Sequence, residues 1–308
     1  MVLLRERTAA RPFLKWAGGK GRLLVQFEDV FPAPLRAGRV RRYVEPFVGG
    51  GAVFFHIAQR FAIQEAVLCD INPELILAYS VVRDDAELLI GELSRLEDLY
   101  LSLNGNARQA FYYEVRDAYN QGRARARRGQ CGRDGIPRAV QLLFLNKTGL
   151  NGLYRVNRSG AYNVPHGRYA SPCICDAPNL RAASFLLRNA ELICTDFTRV
   201  MDFAGPETFI YYDPPYRPLN PTSSFTSYAS DSFTDDDQRR LANVFGAAHR
   251  AGALQMLSNS DPGNTDSGGN FFERLYRGFT IDRVMAARMI NSNASRRGAI
   301  SELLITNY

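Results

Sequence analysis

RYVEPFVGGGAVFFHIAQRF, Arg42–Phe61, is the stretch that decides the fold. Its opening residues pattern as a short strand, EPFVGGG as a glycine turn and AVFFHIAQRF as a helix. A second strand, EAVLCDI (Glu65–Ile71), follows at once and ends in an acid, Asp70. Strand, glycine turn, helix and strand form the opening of a doubly wound α/β sheet. Downstream, Asn72–Pro73–Glu74 opens another helix, and from about Leu75 to Asn120 the chain reads as helices only. A basic run, Gly122–Gly135, and the helix RAVQLLFLNKTG come next. The segment GLYRVNRSGAYNVPHGRY (Gly152–Tyr169) then alternates and turns at Arg158–Ser159–Gly160, which predicts a β-hairpin. The α/β rhythm returns with a helix around Leu180–Arg188 and the strands AELICTDF and ETFIYYDPPY. A helix from Thr234 to about Arg250 opens on a capping-box pattern, Thr234 with Asp237, and the strands ALQMLSNS and ISELLITNY complete the sheet. The reading is an α/β domain, residues 1–75 and 173–308, interrupted by a helical insertion, 76–172, that carries the hairpin.

Composition narrows the function classes. The 308 residues suit one large domain or two modest ones. No stretch approaches the roughly 20 apolar residues of a membrane helix, and MVLLRERTAARP shows no secretory signal. Five scattered cysteines without a CxxC pair read as reduced thiols of a cytoplasmic protein, not as a disulfide framework. A net charge of +7 points to a polyanionic partner such as nucleic acid. Almost all the basic residues are arginine; the only three lysines are Lys15, Lys20 and Lys147. Such a chain keeps lysine where a compact ammonium is needed, and this marks FLKWAGGKGRLL (Phe13–Leu24) for attention.

The sharpest chemical motif is YYDPPY, Tyr211–Tyr216. An apolar strand delivers Asp213 and two prolines to its carboxyl end, where open α/β sheets place ligands. Prolines restrict the backbone and donate no amide proton, so carbonyl groups can face a site. An amine on an aromatic ring is a poor nucleophile because its lone pair is delocalised. A carboxylate and a carbonyl accepting its N–H bonds direct that lone pair at an electrophile, while Tyr216 offers a face for a planar base. The plainer alternative is a proline turn ending a strand. The glycine turn Glu45–Phe55 is neither GxGxxG nor a P-loop, so an adenosine cofactor without a pyrophosphate fits it better. Asp70 is then placed to accept from a ribose.

FLKWAGGK, EPFVGGG, NKTGLNGLYRVN, YNVPHGRY, DPPY and SFTSYASDSF, in this order, resemble the DNA adenine methylase family over nearly the whole chain, Phe13 to Tyr308. The resemblance implies a methyltransferase sheet that uses S-adenosylmethionine to methylate N6 of adenine in duplex DNA, usually within GATC. It implies cofactor contacts at Trp16, Lys20, Asp70 and Asp213, with the glycine turn (Glu45, Phe47, Gly49, Gly51) around them. It implies a catalytic pocket of Asp213, Pro214, Pro215 and Tyr216 for an adenine turned out of the helix. The insertion corresponds to the family's DNA-recognition domain, with Lys15, Leu150, Asn151, Leu153, Arg155 and Pro165 at positions that meet target bases. A guanidinium can pair with the two acceptors of guanine; a phosphate contact is the alternative for Arg155. Leu150 replaces an aromatic that wedges between bases in some relatives, and leucine can wedge without stacking. His166 stands where phenylalanine is common and reads as filler, not as a base. The run Arg123–Arg133 reads as a solvated loop, with added phosphate attraction as the second reading. The expected partner is double-stranded DNA bound by a monomer, with no membrane and no metal; a companion restriction endonuclease is left open.

Several competing readings rank lower. Pro172–Cys173 is the pair used by cytosine-C5 methyltransferases, but it lies outside the strand ends. Cys173, Cys175 and Cys131 have poor zinc spacing. Methyltransferases acting on RNA or on protein glutamine often carry Asn where Asp213 stands, and cytosine-N4 enzymes carry Ser there. A silent binding module would need defects that the motifs do not show.

Overall fold

The structure is a computed structural model, which describes residues 8–122, 135–217, 233–264, 269–287 and 299–308. Strands β1 (Arg42–Glu45), β2 (Glu65–Asp70), β3 (Ala190–Cys194), β4 (Thr208–Tyr212) and β5 (Leu254–Ser260) run parallel. β6 (Thr280–Ala287) and β7 (Ala299–Thr306) complete a seven-stranded sheet of order β3-β2-β1-β4-β5-β7-β6, in which β7 runs antiparallel to both neighbours. β4 sits in the middle, and every residue of TFIYY is buried, as expected of a parallel strand covered on both faces.

Side chains alternate across the sheet with period two. Tyr43, Leu68, Phe209 and Tyr211 join one apolar cluster, and Val44, Val67, Ile210, Tyr212 and Leu257 the other. Helices α1 (Leu24–Val30), α2 (Ala33–Arg36) and α3 (Ala52–Arg60) contribute to the first cluster. Next come α4 (Pro73–Asp84), α5 (Ala86–Ser102), α6 (Gly105–Gln121), α7 (Ile136–Thr148) and α8 (Ala177–Leu187). α9 (Asp235–Arg250) packs on the second cluster, and α10 (Phe271–Leu275) is a short addition to it.

Local sequence explains the helix starts. Asn72 accepts from the amides of Glu74 (3.0 Å) and Leu75, and Pro73 occupies the first turn, where its missing N–H costs nothing. Thr234 and Asp237 form the expected capping box, and three acids fill the first turn of α9, favourable to the helix dipole.

The first cluster continues without a break into the helical insertion, through Tyr100, Tyr112, Phe144 and Tyr162. A buried ion pair reinforces this junction. Arg138 on α7 forks onto Glu74 on α4 at 2.6 and 2.7 Å, gives a third bond to the Tyr119 carbonyl, and lies 4.0 Å from the Tyr119 ring centroid. With side chains 10% and 11% exposed, neither charge of this pair can turn to bulk water.

Four features differ from the sequence expectations or extend them. The hairpin is reduced to one antiparallel bridge, Val156 with Tyr162, with no strand ladder. Its cause is Asn157, whose Oδ1 captures the amides of Ser159 and Ala161 at 3.0 and 2.9 Å and so shapes the turn itself. The edge strand β6 and the short helices α1, α2 and α10 were not expected. His166 is buried, with Nε2 bonded to the Tyr100 hydroxyl at 2.7 Å, so it packs the insertion. The run Arg123–Arg133 lies outside the described residues, as does nearly all of SFTSYASDSF. Among the described residues no helix is long and apolar enough to cross a membrane.

Candidate active site

Asp213 leaves the end of β4 and meets groups from two other parts of the chain. Lys20 Nζ pairs with its Oδ1 at 2.7 Å, and Ser258 on β5 donates to the same oxygen at 3.1 Å. Tyr211 pairs its hydroxyl with that of Ser258 at 2.9 Å, so the serine is itself fixed. Among the described residues no hydrogen bond reaches Oδ2 of Asp213. Burial raises the Asp213 carboxyl above the ordinary range, while Lys20 and Ser258 pull it back.

Lys20 is only 4% exposed. Its ammonium also donates to the Gly18 carbonyl at 2.6 Å and lies 4.6 Å from the centroid of the Tyr216 ring. Tyr216 donates its phenol proton to Glu302 Oε2 on β7 at 2.6 Å. Burial raises the Glu302 carboxyl; Lys20 and the Tyr216 bond lower it, and Asp213 raises it further. Pro214 is buried, and the Pro215 carbonyl accepts from Gln238 on α9 at 3.3 Å.

The glycine turn lies beside this cluster. Gly49 and Gly51 have φ of 47° and 70°, the left-handed region where a side chain is strained. A Cβ on Gly49 would come within 3.0 Å of the Trp16 ring, and one on Gly51 would collide with the Tyr79 hydroxyl. Asp70 closes β2 and accepts from the amides of Asn72 (2.9 Å) and Gly49 (3.1 Å). Burial outweighs these bonds, and its carboxyl is pushed up to about 6. Phe47 stacks on Phe197 with centroids 5.5 Å apart. Glu45 is a different case: it is 2% exposed, accepts from the Tyr43 hydroxyl at 2.7 Å, and burial raises its carboxyl far above the ordinary range. Its carboxyl group is therefore committed inside the protein, to the Tyr43 hydroxyl.

A third group joins the N-terminal segment to the insertion. Trp16 stacks on Tyr154 with centroids 5.2 Å apart and an angle of 22°. Asn146, at the end of α7, accepts from the Lys15 amide and donates to the carbonyls of Lys15 and Gly152, each at 2.8 Å. Gly152 has a φ of 64°, and the Lys15 chain lies where its Cβ would be. Asn151 is left-handed at a φ of 57°; the Tyr169 hydroxyl accepts its amide at 2.8 Å, and Lys15 Nζ lies 5.1 Å from the Tyr169 ring centroid. The Pro165 carbonyl accepts from the Leu150 amide at 2.9 Å. Leu150 is 42% exposed. Arg155, also exposed, has its guanidinium bonded among the described residues only to Asn163, at 2.8 and 3.2 Å. Leu153 is half-buried, and its carbonyl accepts from Tyr162 at 3.0 Å.

The structure thus gathers Lys20, Asp213 and Tyr216 into one contact network, and Lys15, Asn151, Leu150 and Pro165 into a second. Trp16 touches the glycine turn on one side and the insertion on the other. Sequence reading missed Ser258, Glu302, Asn146 and Tyr169. All four are polar side chains within strands, a helix end or a loop, and their partners lie up to 131 positions away.

A mixed α/β sheet with a glycine turn after β1, an acid closing β2 and Asp-Pro-Pro-Tyr after β4 fits the class of methyltransferases. The comparisons with known proteins give the particular kind. Residues 16–290 match the model of the D12 class N6 adenine-specific DNA methyltransferases, and the chain belongs to that family. It is 48% identical over 97% of its length to the type II methyltransferase M.MjaIII of Methanocaldococcus jannaschii, covering 99% of that protein. It is 34% identical to the DNA adenine methylase of Vibrio cholerae, over 96% of this chain and 95% of that one. Against the DNA adenine methylase of Escherichia coli K12 the identity is 32%, over 96% and 94%. The protein is an adenine-specific DNA methyltransferase.

Proposed function

We propose that the enzyme uses S-adenosylmethionine to methylate N6 of an adenine turned out of duplex DNA, within GATC. The observation that carries this reading is the arrangement at Asp213. Lys20 and Ser258 both hold Oδ1, which leaves Oδ2 as the oxygen able to accept an N6–H. The Pro215 carbonyl is taken by Gln238, so that of Pro214 is the one free for the second N–H. With both protons engaged, the N6 lone pair points away from the ring plane and becomes nucleophilic. The reaction is a direct in-line displacement without a covalent intermediate. Tyr216 supplies the stacking face, and holding the reactants in contact supplies much of the acceleration.

The residues around the glycine turn fit an adenosine-bearing donor. The turn is bare at the two places where a Cβ would collide with Trp16 and Tyr79, and Asp70 is an anchored carboxylate for ribose hydroxyls. Trp16 lies beside the turn and Phe47 within it, and Lys20 offers a cation to the carboxylate of an amino-acid end. When bound, S-adenosylmethionine supplies an electrophilic methyl group. Glu45, buried, supports the turn.

Residues 76–172 serve as the DNA-recognition part, and 1–75 with 173–308 as the catalytic part. Lys15, Leu150, Asn151, Leu153, Arg155 and Pro165 meet the target bases, with Leu150 as a wedge where the base is opened. The enzyme acts as a cytoplasmic monomer on DNA. The M.MjaIII likeness favours a companion restriction endonuclease of the same specificity. Incubating the protein with S-adenosylmethionine and unmodified DNA, then sequencing modified bases, tests the proposal. N6-methyladenine at GATC is the expected result; adenine marks at another sequence would refute the specificity, and no adenine marks would refute the whole.

A further inference from the structure

Tyr216 is held at two points that the reaction itself does not require. Its phenol donates to Glu302 Oε2 at 2.6 Å, and its ring lies against the Lys20 ammonium, 4.6 Å from the centroid. Glu302 comes from β7, the antiparallel strand inserted beside β5, and lies 86 positions from Tyr216. It pairs in register with Ser260 on one side and Val284 on the other. The carboxylate is therefore mounted on a strand bonded on both edges, whereas Tyr216 follows a strand end and carries no regular backbone pairing. Ser258, on the neighbouring strand, anchors Asp213 in the same way. The two catalytic side chains thus each have one polar anchor on the sheet, and Lys20 lies between them.

We propose that Glu302 is a positioning residue for methyl transfer: by accepting the Tyr216 phenol bond it fixes the ring on which the target adenine stacks. The inference rests on the reading of Tyr216 as that stacking face. Without the anchor the ring samples other rotamers, and the adenine is less often placed with N6 at Asp213. The loss then falls on the transfer step and spares DNA affinity, because the recognition contacts lie in the insertion. A charge-assisted hydrogen bond of this length is strong enough to select one rotamer.

Single-turnover methylation and DNA binding should be measured for Glu302→Ala, Glu302→Gln, Tyr216→Phe and the double variant Tyr216→Phe/Glu302→Ala. The expected result is a roughly tenfold slower transfer in Glu302→Ala and in Tyr216→Phe, consistent with loss of one charge-assisted bond. DNA affinity should stay within about threefold, the double variant should be no slower than either single one, and Glu302→Gln, which keeps an acceptor oxygen, should recover most of the rate. Parental transfer in Glu302→Ala, or losses that multiply in the double variant, would overturn the proposal. So would a Glu302→Gln variant as slow as Glu302→Ala. A separate Tyr216→Ala variant tests the underlying reading: parental transfer there removes the stacking face itself, whereas a slow Tyr216→Ala beside a fast Glu302→Ala removes only the anchor.

Discussion

At the carboxyl edge of the sheet, Lys20 is 4% exposed and bonded to two groups, Asp213 is held through one oxygen by two donors, and Tyr216 ends on a carboxylate. In the segment from Leu150 to Asn163, by contrast, Leu150 is 42% exposed, the Arg155 side chain reaches only Asn163 among the described residues, and one β-bridge, Val156 with Tyr162, crosses the turn. Both regions hang from the same apolar core, yet one is cross-linked by buried polar groups and the other is presented to solvent. The difference fits the tasks proposed for them. An acceptor for a weak nucleophile must be preorganised in a dry place, whereas groups that read a duplex must stay wet until DNA replaces the water.

The strongest way to break this pairing of regions is at their junction. Arg138→Leu would leave Glu74 buried without its partner, and stability should fall by about 3–5 kcal/mol in denaturant titrations. A loss under about 1 kcal/mol would mean that apolar packing alone joins the regions. Next in size, Asp213→Asn should slow single-turnover transfer by about 10²–10³-fold with DNA affinity nearly unchanged; an equal loss in binding would move Asp213 into the DNA interface. On the exposed side, Arg155→Ala should cost about 1–3 kcal/mol of discrimination at one base pair, read by competition among altered sites. Uniform weakening across all sequences would make it a phosphate contact.

The smallest effect sharpens the buried side. On the proposed mechanism Asp213 is ionised to accept an N6–H, so transfer should fall as pH drops through its raised folded value. Ser258 donates to the charged form, and Ser258→Ala raises that value further. The acid limb of the single-turnover rate should therefore move to higher pH. A limb that moves to lower pH, or not at all, would show that Ser258 does not support the carboxylate.

The backbone of the catalytic region was legible because its signals are local. The glycine turn, the buried run TFIYY and the capping box at Thr234 each lie within a few residues, and each appears where the sequence puts it. The edge strand β6 was not legible, since TIDRVMAA mixes Asp282 and Arg283 with an exposed Met285 and buries Val284 among its described side chains. The hairpin was over-read for a related reason. Alternation predicts a ladder, but a side-chain oxygen at Asn157 took the turn amides first. In the site, Asp213 and Lys20 stood out by residue type, whereas Ser258 and Glu302 gain meaning only from folding, which brings them to partners 45 and 86 positions away.

Asn146 has a consequence for how such an enzyme can change its target. One amide side chain clasps the backbone of Lys15 on both its polar groups and the carbonyl of Gly152 besides. The N-terminal strip that bears Trp16 and Lys20 is thereby sewn to Gly152, at the start of the segment proposed to read the target. On that proposal, sequence preference and donor pocket are not independent modules. A graft of residues 150–169 from a relative with another target would have to bring its own counterparts of Lys15 and Asn146, or it would pull the strip out of line and lose cofactor affinity along with the old specificity.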